Sequence, residues 1–290
     1  MTETGRRAPS LRNRLLDAWE IALYRLLRRL PIDLAPWLSR RDTTAMIRRD
    51  RPWVLGRARA NLRRHRPDAP DAEIDAAVER FLDNIALHVG ETPTIGRQHA
   101  AGRVDIVQEE DVTRRGGVIA LCLHTGNWEV MLEALRVVGL SVVCAPLQWE
   151  SRGQDWVLDD MRRRNGLRIL PAGPGGLRAA MQEIRGGGVL AIFVDEAREG
   201  RLMAPFFGRP PHLAGNLGIA ARLARRTSTP VALCHVTRVG GKRFRVFFGR
   251  ATSLPADTGD PLDDVAFLNA IIEPAILERL DQWYFLDDAF

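Results

Sequence analysis

Lysine is nearly missing from this chain: Lys242 stands alone, and the other 41 of 42 basic residues are Arg. Cysteine is scarce too. Cys122, Cys144 and Cys234 form no CxxC, which argues against a disulfide framework and for reduced, buried thiols in a cytoplasmic protein. No apolar window reaches the roughly 18 uncharged residues of a spanning helix; the longest uncharged runs, 116–128 and 137–149, are interrupted by Gly, Pro or polar residues. The first apolar stretch carries Arg12, Arg14 and Asp17, so no secretory leader is expected. GxSxG, the P-loop, HExxH and a strand-borne GxGxxG are all missing, which leaves the hydrolase, NTPase, zincin and dinucleotide readings without an anchor. None of the six His shows metal-ligand spacing, so no metal and no bound cofactor are expected.

What is present reads as a folded chain of 290 residues, 46% hydrophobic and 27% charged, enough for one large domain or a domain with an attachment. The net charge of +6 is unevenly spread. Residues 1–66 carry 17 Arg against six acids, whereas residues 251–290 carry one Arg against nine acids. Either the basic front end meets an anionic partner or it reflects an Arg bias on solvated faces. Nucleic acid is not the expected partner, because no reader module and no interleaved aromatics accompany the Arg residues.

Residues 11–30 predict an amphipathic helix, with Leu16, Trp19, Leu23, Leu26, Leu27 and Leu30 on one side and Arg14, Arg25, Arg28 and Arg29 on the other, ended by Pro31. That periodicity serves an interfacial membrane helix and a helix docked on its own domain equally well. Helices are expected at 42–66 and 71–92, making residues 1–100 a helical, membrane-proximal region. From 101 to 290 the texture changes. Short apolar runs at 118–123, 141–145, 167–170, 189–194, 231–236 and 244–248 alternate with helical stretches at 129–139, 153–165, 175–186 and 215–227, and an acidic helix follows at about 262–280. The expectation is an α/β layered domain whose mostly buried, mixed sheet is flanked by helices, integrated with the helical N-terminal region.

The informative segment is Leu121-Cys122-Leu123-His124-Thr125-Gly126-Asn127-Trp128-Glu129. A buried strand ends at Leu123 and a helix starts near Asn127, a natural N-cap. His124 therefore stands at the carboxyl edge of a strand, where open α/β sheets place their ligands. If the chain doubles back at Thr125-Gly126, Glu129 can accept from one imidazole nitrogen and leave the other as a base. A His in this position can also be purely structural. The segment offers a base and an orienter but no nucleophile, which suggests direct attack by a substrate hydroxyl.

His124-Thr125-Gly126-Asn127-Trp128-Glu129 resembles the H-x4-D/E block of the lipid A late acyltransferases, in the glycerolipid (lysophospholipid) acyltransferase superfamily. Met161-Arg162-Arg163-Arg164-Asn165-Gly166 resembles that family's Arg-rich segment. Phe193-Val194-Asp195-Glu196 and Ala204-Pro205-Phe206-Phe207-Gly208 resemble its strand–Asp–Gln and Pro-Phe-Phe-Gly blocks. The resemblance covers about 15–285, weakly beyond 215. It implies a peripheral enzyme on the cytoplasmic face of the inner membrane, engaging anionic lipid. The enzyme would move a fatty acyl group from acyl carrier protein, or from a CoA thioester, to a hydroxyl of a lipid A precursor or related glycolipid.

In that scheme His124 is the general base, Glu129 its orienter and Arg164 a contact to a phosphate or headgroup. Asn127 and Asp195 belong to the same polar cluster on the substrate side, Asp195 either as a participant or as a structural partner of Arg164. Arg162 and Arg163 are expected to be solvated. Pro205-Phe206-Phe207-Gly208 either lines an acyl channel or is core. Three departures bear on the acceptor: Asp195-Glu196 replaces Asp-Gln, His212-Leu213-Ala214-Gly215-Asn216 replaces a Thr-rich stretch, and an acidic end from Asp281 to Asp288 replaces a basic one. The rival readings are an acyl-CoA-dependent enzyme for a mannosylated or other glycolipid or lysolipid, and an inactive lipid-binding scaffold.

Overall fold

Period-2 apolar faces decide the layers. The computed structural model describes residues 10–110, 116–144, 151–171, 174–256 and 260–288. In chain order the helices are α1 (Leu11–Leu27), α2 (Leu34–Asp50), α3 (Pro52–His65), α4 (Asp71–Glu91) and the short α5 (Ile95–Gln98). Then come β1 (Val104–Gln108), β2 (Val118–Cys122), α6 (Trp128–Val137), β3 (Val142–Cys144), α7 (Arg152–Arg164), β4 (Arg168–Ile169), α8 (Pro174–Arg185) and β5 (Val189–Phe193). A small hairpin, β6 (Ala197–Arg198) and β7 (Arg201–Leu202), precedes α9 (Gly215–Thr227), β8 (Val231–Val239), β9 (Arg243–Phe248) and α10 (Pro261–Glu278). A final 3-10 turn spans Leu280–Gln282.

The seven-stranded sheet has the order β1-β9-β8-β2-β5-β3-β4. It is parallel except for β8–β9, which fold back through Gly240 and Gly241, both at left-handed φ. Along β2, Ile119 and Leu121 enter one core and Ala120 and Cys122 the other; β5 divides Leu190 and Ile192 from Val189 and Ala191 in the same way. Both faces are therefore buried, which is why the strands read as continuous apolar runs. Side chains of α3, α4, α8, α9 and α10 cover the first face, and those of α1, α6 and α7 the second. Ala58, Leu62, Ile74 and Phe81 share a core with Ile119, so the N-terminal helices pack directly on the sheet.

Three local expectations change. The helical stretch expected at 42–66 begins at Leu34 and is two helices, because Pro52 sits at the start of α3 and Arg51 leaves helical geometry. β1 is a half-exposed edge strand without an apolar run, and β6–β7 is too short to show a period. Residue 145, the end of the strand expected at 141–145, lies outside the described residues.

α1 docks on its polar side. Asp17 Oδ1 accepts the Gly153 N–H (3.0 Å), Glu20 accepts from Ser151 Oγ (2.6 Å), and Tyr24 donates to Asp160 (3.2 Å). Two of its acids thus sit at the positive N-terminal end of α7. Its apolar stripe faces out: Leu16, Trp19, Leu23 and Leu26 are 49%, 64%, 37% and 56% exposed. No helix among the described residues is long and apolar enough to cross a membrane.

Gly90 is where α4 meets α2: a Cβ there would lie 2.6 Å from both Pro36 Cα and Ser39 Cβ. Gly90→Ala gains up to ~1 kcal/mol of helix propensity but overpacks the contact by about 1–3 kcal/mol. A net loss of stability in denaturant unfolding is expected; a gain would mean the two helices separate freely.

Candidate active site

Strand register brings a histidine and an aspartate together at the carboxyl edge of the sheet. β2 and β5 are adjacent and parallel, with Cys122 opposite Phe193. Two residues further along each strand stand His124 and Asp195. Asp195 Oδ1 lies 2.8 Å from His124 Nδ1, and Oδ2 accepts the His124 backbone N–H at 2.8 Å and the Trp283 indole N–H at 2.9 Å. Both residues are buried, Asp195 completely. A carboxylate only accepts, so Nδ1 carries the proton and Nε2 presents its lone pair. Nε2 has no hydrogen bond among the described residues. The rings of Phe193, Trp128 and Phe285 surround the imidazole at centroid distances of 4.2, 4.9 and 5.1 Å. Such an imidazole can take a proton from a hydroxyl brought to Nε2.

The turn after His124 requires glycine. Gly126 has φ +54, and a Cβ there would meet the Val236 carbonyl oxygen at 2.7 Å. Its N–H donates to the Gln282 carbonyl (3.0 Å), and the Tyr284 N–H donates to the His124 carbonyl (2.9 Å). Asn127 occupies the N-cap position of α6 without making the capping bond. Its buried amide donates instead to Glu91 Oε2 (2.8 Å), and Arg238 forms a bidentate pair with the same carboxylate (2.6 and 2.9 Å). His88 of α4 stacks on Trp128 at 3.8 Å. Burial, reinforced by Arg238, pushes His88 down to about 3, so it is neutral.

Several expected contacts are therefore replaced. Glu129 does not reach His124. The first turn of α6 points it to the other side, where Arg162 takes both its oxygens (2.6 and 3.1 Å). Asp195, rather than Glu129, orients the imidazole, and it does not pair with Arg164. Arg162, expected in solvent, is 2% exposed, while Arg163 and Arg164 lie on the exposed side of α7, each held by the acid four residues earlier, Asp159 and Asp160. Arg164 borders a cavity of about 150 Å³ shared with Tyr24, Arg28 and Arg97. Asn127 is fully buried against Glu91 and shapes the turn. Phe206 is core and Phe207 rests 4.4 Å from the ring of His65.

Among the described residues no three His, Cys, Asp or Glu side chains converge as metal ligands would. Burial pushes the Cys122 and Cys234 thiols up, so neither is a thiolate nucleophile. Sequence reasoning missed Trp283, Glu91 and Arg238. Arg162 had a legible signal: the residue four before it is Leu158, on the apolar stripe of α7, whereas Arg163 and Arg164 follow acids.

Residues 8–290 match the sequence profile of the family described as bacterial lipid A biosynthesis acyltransferase. No curated protein matches the chain in sequence. The crystal structure of the 1-acyl-sn-glycerophosphate (LPA) acyltransferase PlsC from Thermotoga maritima aligns at 10% identity with a TM-score of 0.38, over 93% of this chain and 99% of that one.

Two stability predictions follow from the buried charges. Glu129→Gln strands the Arg162 guanidinium and should cost about 3–5 kcal/mol in denaturant unfolding. Adding Arg162→Met should restore most of it; an undiminished loss in the double variant would deny the pair its structural role. Glu196 is raised to about 7, chiefly by burial and against the Asn216 N–H that it accepts at 2.8 Å. A carboxyl raised on folding contributes stability below its unfolded value that is lost as pH climbs through the folded one. Glu196→Gln should therefore match the wild type near pH 4 and exceed it by roughly 1–3 kcal/mol above pH 7. Equal curves at both pH values would contradict this.

Proposed function

The chain belongs to the bacterial lipid A biosynthesis acyltransferase family, and from that premise we propose that it transfers a fatty acyl group from an acyl thioester to a hydroxyl of a lipid A precursor or related glycolipid. The observation that carries the mechanism is the Asp195-held imidazole of His124 with Nε2 unbonded. The acceptor hydroxyl gives its proton to Nε2 as its oxygen attacks the thioester carbonyl. The tetrahedral intermediate collapses, the C–S bond breaks, and the departing sulfur takes the proton back from Nε2. Asp195 stabilises the transient imidazolium without itself being protonated. The N–H groups of Trp128 and Glu129, in the first turn of α6 where no intrahelical acceptor exists and Asn127 caps nothing, supply donors for the oxyanion. Acyl carrier protein and CoA thioesters are both donors in keeping with this chemistry.

The enzyme works as a peripheral protein on the cytoplasmic face of the inner membrane. α1 spends its polar face on α7 and leaves Leu16, Trp19, Leu23 and Leu26 in solvent, with Arg12 and Arg14 exposed on the same helix. Apolar burial at the acyl boundary and attraction to anionic headgroups then act together. Arg28, Arg97 and Arg164 around their shared cavity suit an acceptor phosphate.

Mass spectrometry of products tests the reaction, with acyl carrier protein and CoA thioesters offered against lipid A precursors and lysolipids. Wild type should form one acylated product and His124→Ala should lose a factor on the order of 10²–10⁴. Equal product from both proteins would refute the His124 mechanism, and no product from either would favour the inactive scaffold. For the membrane face, Trp19→Glu/Leu23→Glu should weaken sedimentation with phosphatidylglycerol vesicles at least about tenfold while leaving Tm unchanged, since each side chain forfeits ~1.5–3 kcal/mol of burial only in lipid. Unaltered sedimentation would place the membrane contact elsewhere.

A further inference from the structure

The C-terminal segment is built into the reacting pair. Gln282 bonds twice to the Arg238 backbone, accepting its N–H at 2.7 Å and donating to its carbonyl at 3.1 Å. The Gln282 carbonyl in turn accepts from Asn84 (3.1 Å) and from the Gly126 N–H. Trp283 forms an antiparallel bridge with Thr125. Its side chain is fully buried, and the rings of Phe206, Phe207 and Phe285 stand edge-on to it at 6.3, 6.0 and 6.3 Å. An indole is a donor only, and here its N–H ends on Asp195 Oδ2.

Geometry gives that bond a consequence beyond burial. The carboxylate of Asp195 can turn about its last torsion; a half-turn only exchanges its two equivalent oxygens, but a partial turn carries the accepting oxygen out of line with Nδ1 of His124. The backbone N–H of His124 holds Oδ2 at one point; the indole N–H holds it at a second and blocks the turn. We propose that Trp283 is a positioning residue for acyl transfer, its indole N–H locking the Asp195 carboxylate in the orientation that keeps the proton on Nδ1 of His124. This rests on His124 being the base of the proposed reaction. Trp283 acts through Asp195 and touches neither substrate.

The decisive variant removes the N–H and little else: β-(3-benzothienyl)alanine installed at position 283 of the full chain by stop-codon suppression, with sulfur in place of N–H. Trp283→Phe is the coarser companion. The benzothienyl protein should unfold at the wild-type temperature to within a few degrees. Its kcat should fall about tenfold with KM within about twofold, as for loss of a charge-assisted hydrogen bond felt only in the reaction. Imidazole ¹⁵N signals of His124, assigned by their loss in His124→Ala, should move from a pure Nδ1–H form toward a mixture of tautomers. Wild-type kcat together with wild-type ¹⁵N signals would overturn the proposal. If the wild type transfers no acyl group from any donor, the transferase reading fails by itself. The ¹⁵N signals then decide: a mixture upholds the positioning role and unchanged signals remove it.

Discussion

One strand register holds this site together. Cys122 lies opposite Phe193 in two parallel strands buried on both faces, and His124 meets Asp195 two residues later. A slip of one residue would send every side chain of the strand to the opposite layer. The apolar core therefore enforces the distance between imidazole and carboxylate. Neither residue needs a flexible loop to find the other, and the pair inherits the rigidity of the sheet.

Around that pair two buried ion pairs hold the neighbouring elements in place. Glu129 with Arg162 and Glu91 with Arg238 are both bidentate and both nearly inaccessible. Removing two charges from water is repaid only when the geometry is good and the remaining donors are used. The planar guanidinium fork meets that demand better than an ammonium would, which suits a chain that carries a single Lys. The first pair ties the start of α6 to α7. The second ties the His124 turn to α4 and β8, with Asn127 as the link. The C-terminal turn closes the remaining side through Gln282, Trp283 and Tyr284.

The apolar runs at 118–123 and 189–194 made the central strands legible, and the polar break after Leu123 marked His124. Asp195 was visible as the end of a strand, but 71 residues separate it from His124, and no periodicity reports which strands neighbour each other. Glu129 looked like the partner because it is near in sequence. Helix geometry overrules nearness, since the first turn of α6 carries it toward α7. Trp283 stands among the acids of 281–288, where no apolar period marks an inward face, and only tertiary packing turns it inward. The Leu stripe of α1 was equally plain in the sequence. Which face docks was not, because Asp17, Glu20 and Tyr24 find partners on α7 that lie 131–136 residues away.

The outward apolar face of α1 and the His124–Asp195 pair at the strand edge are the two features on which the proposed function rests. The centre of the pair is the Asp195 carboxylate, which fixes the proton on Nδ1 and frees Nε2. The most direct measurement is single-turnover acyl transfer by Asp195→Asn, with folding checked by unfolding temperature. The account predicts a rate lower by roughly three to four orders of magnitude in a folded protein, as expected when a base is left in the wrong tautomer. An Asp195→Asn protein that transfers at the wild-type rate would contradict it.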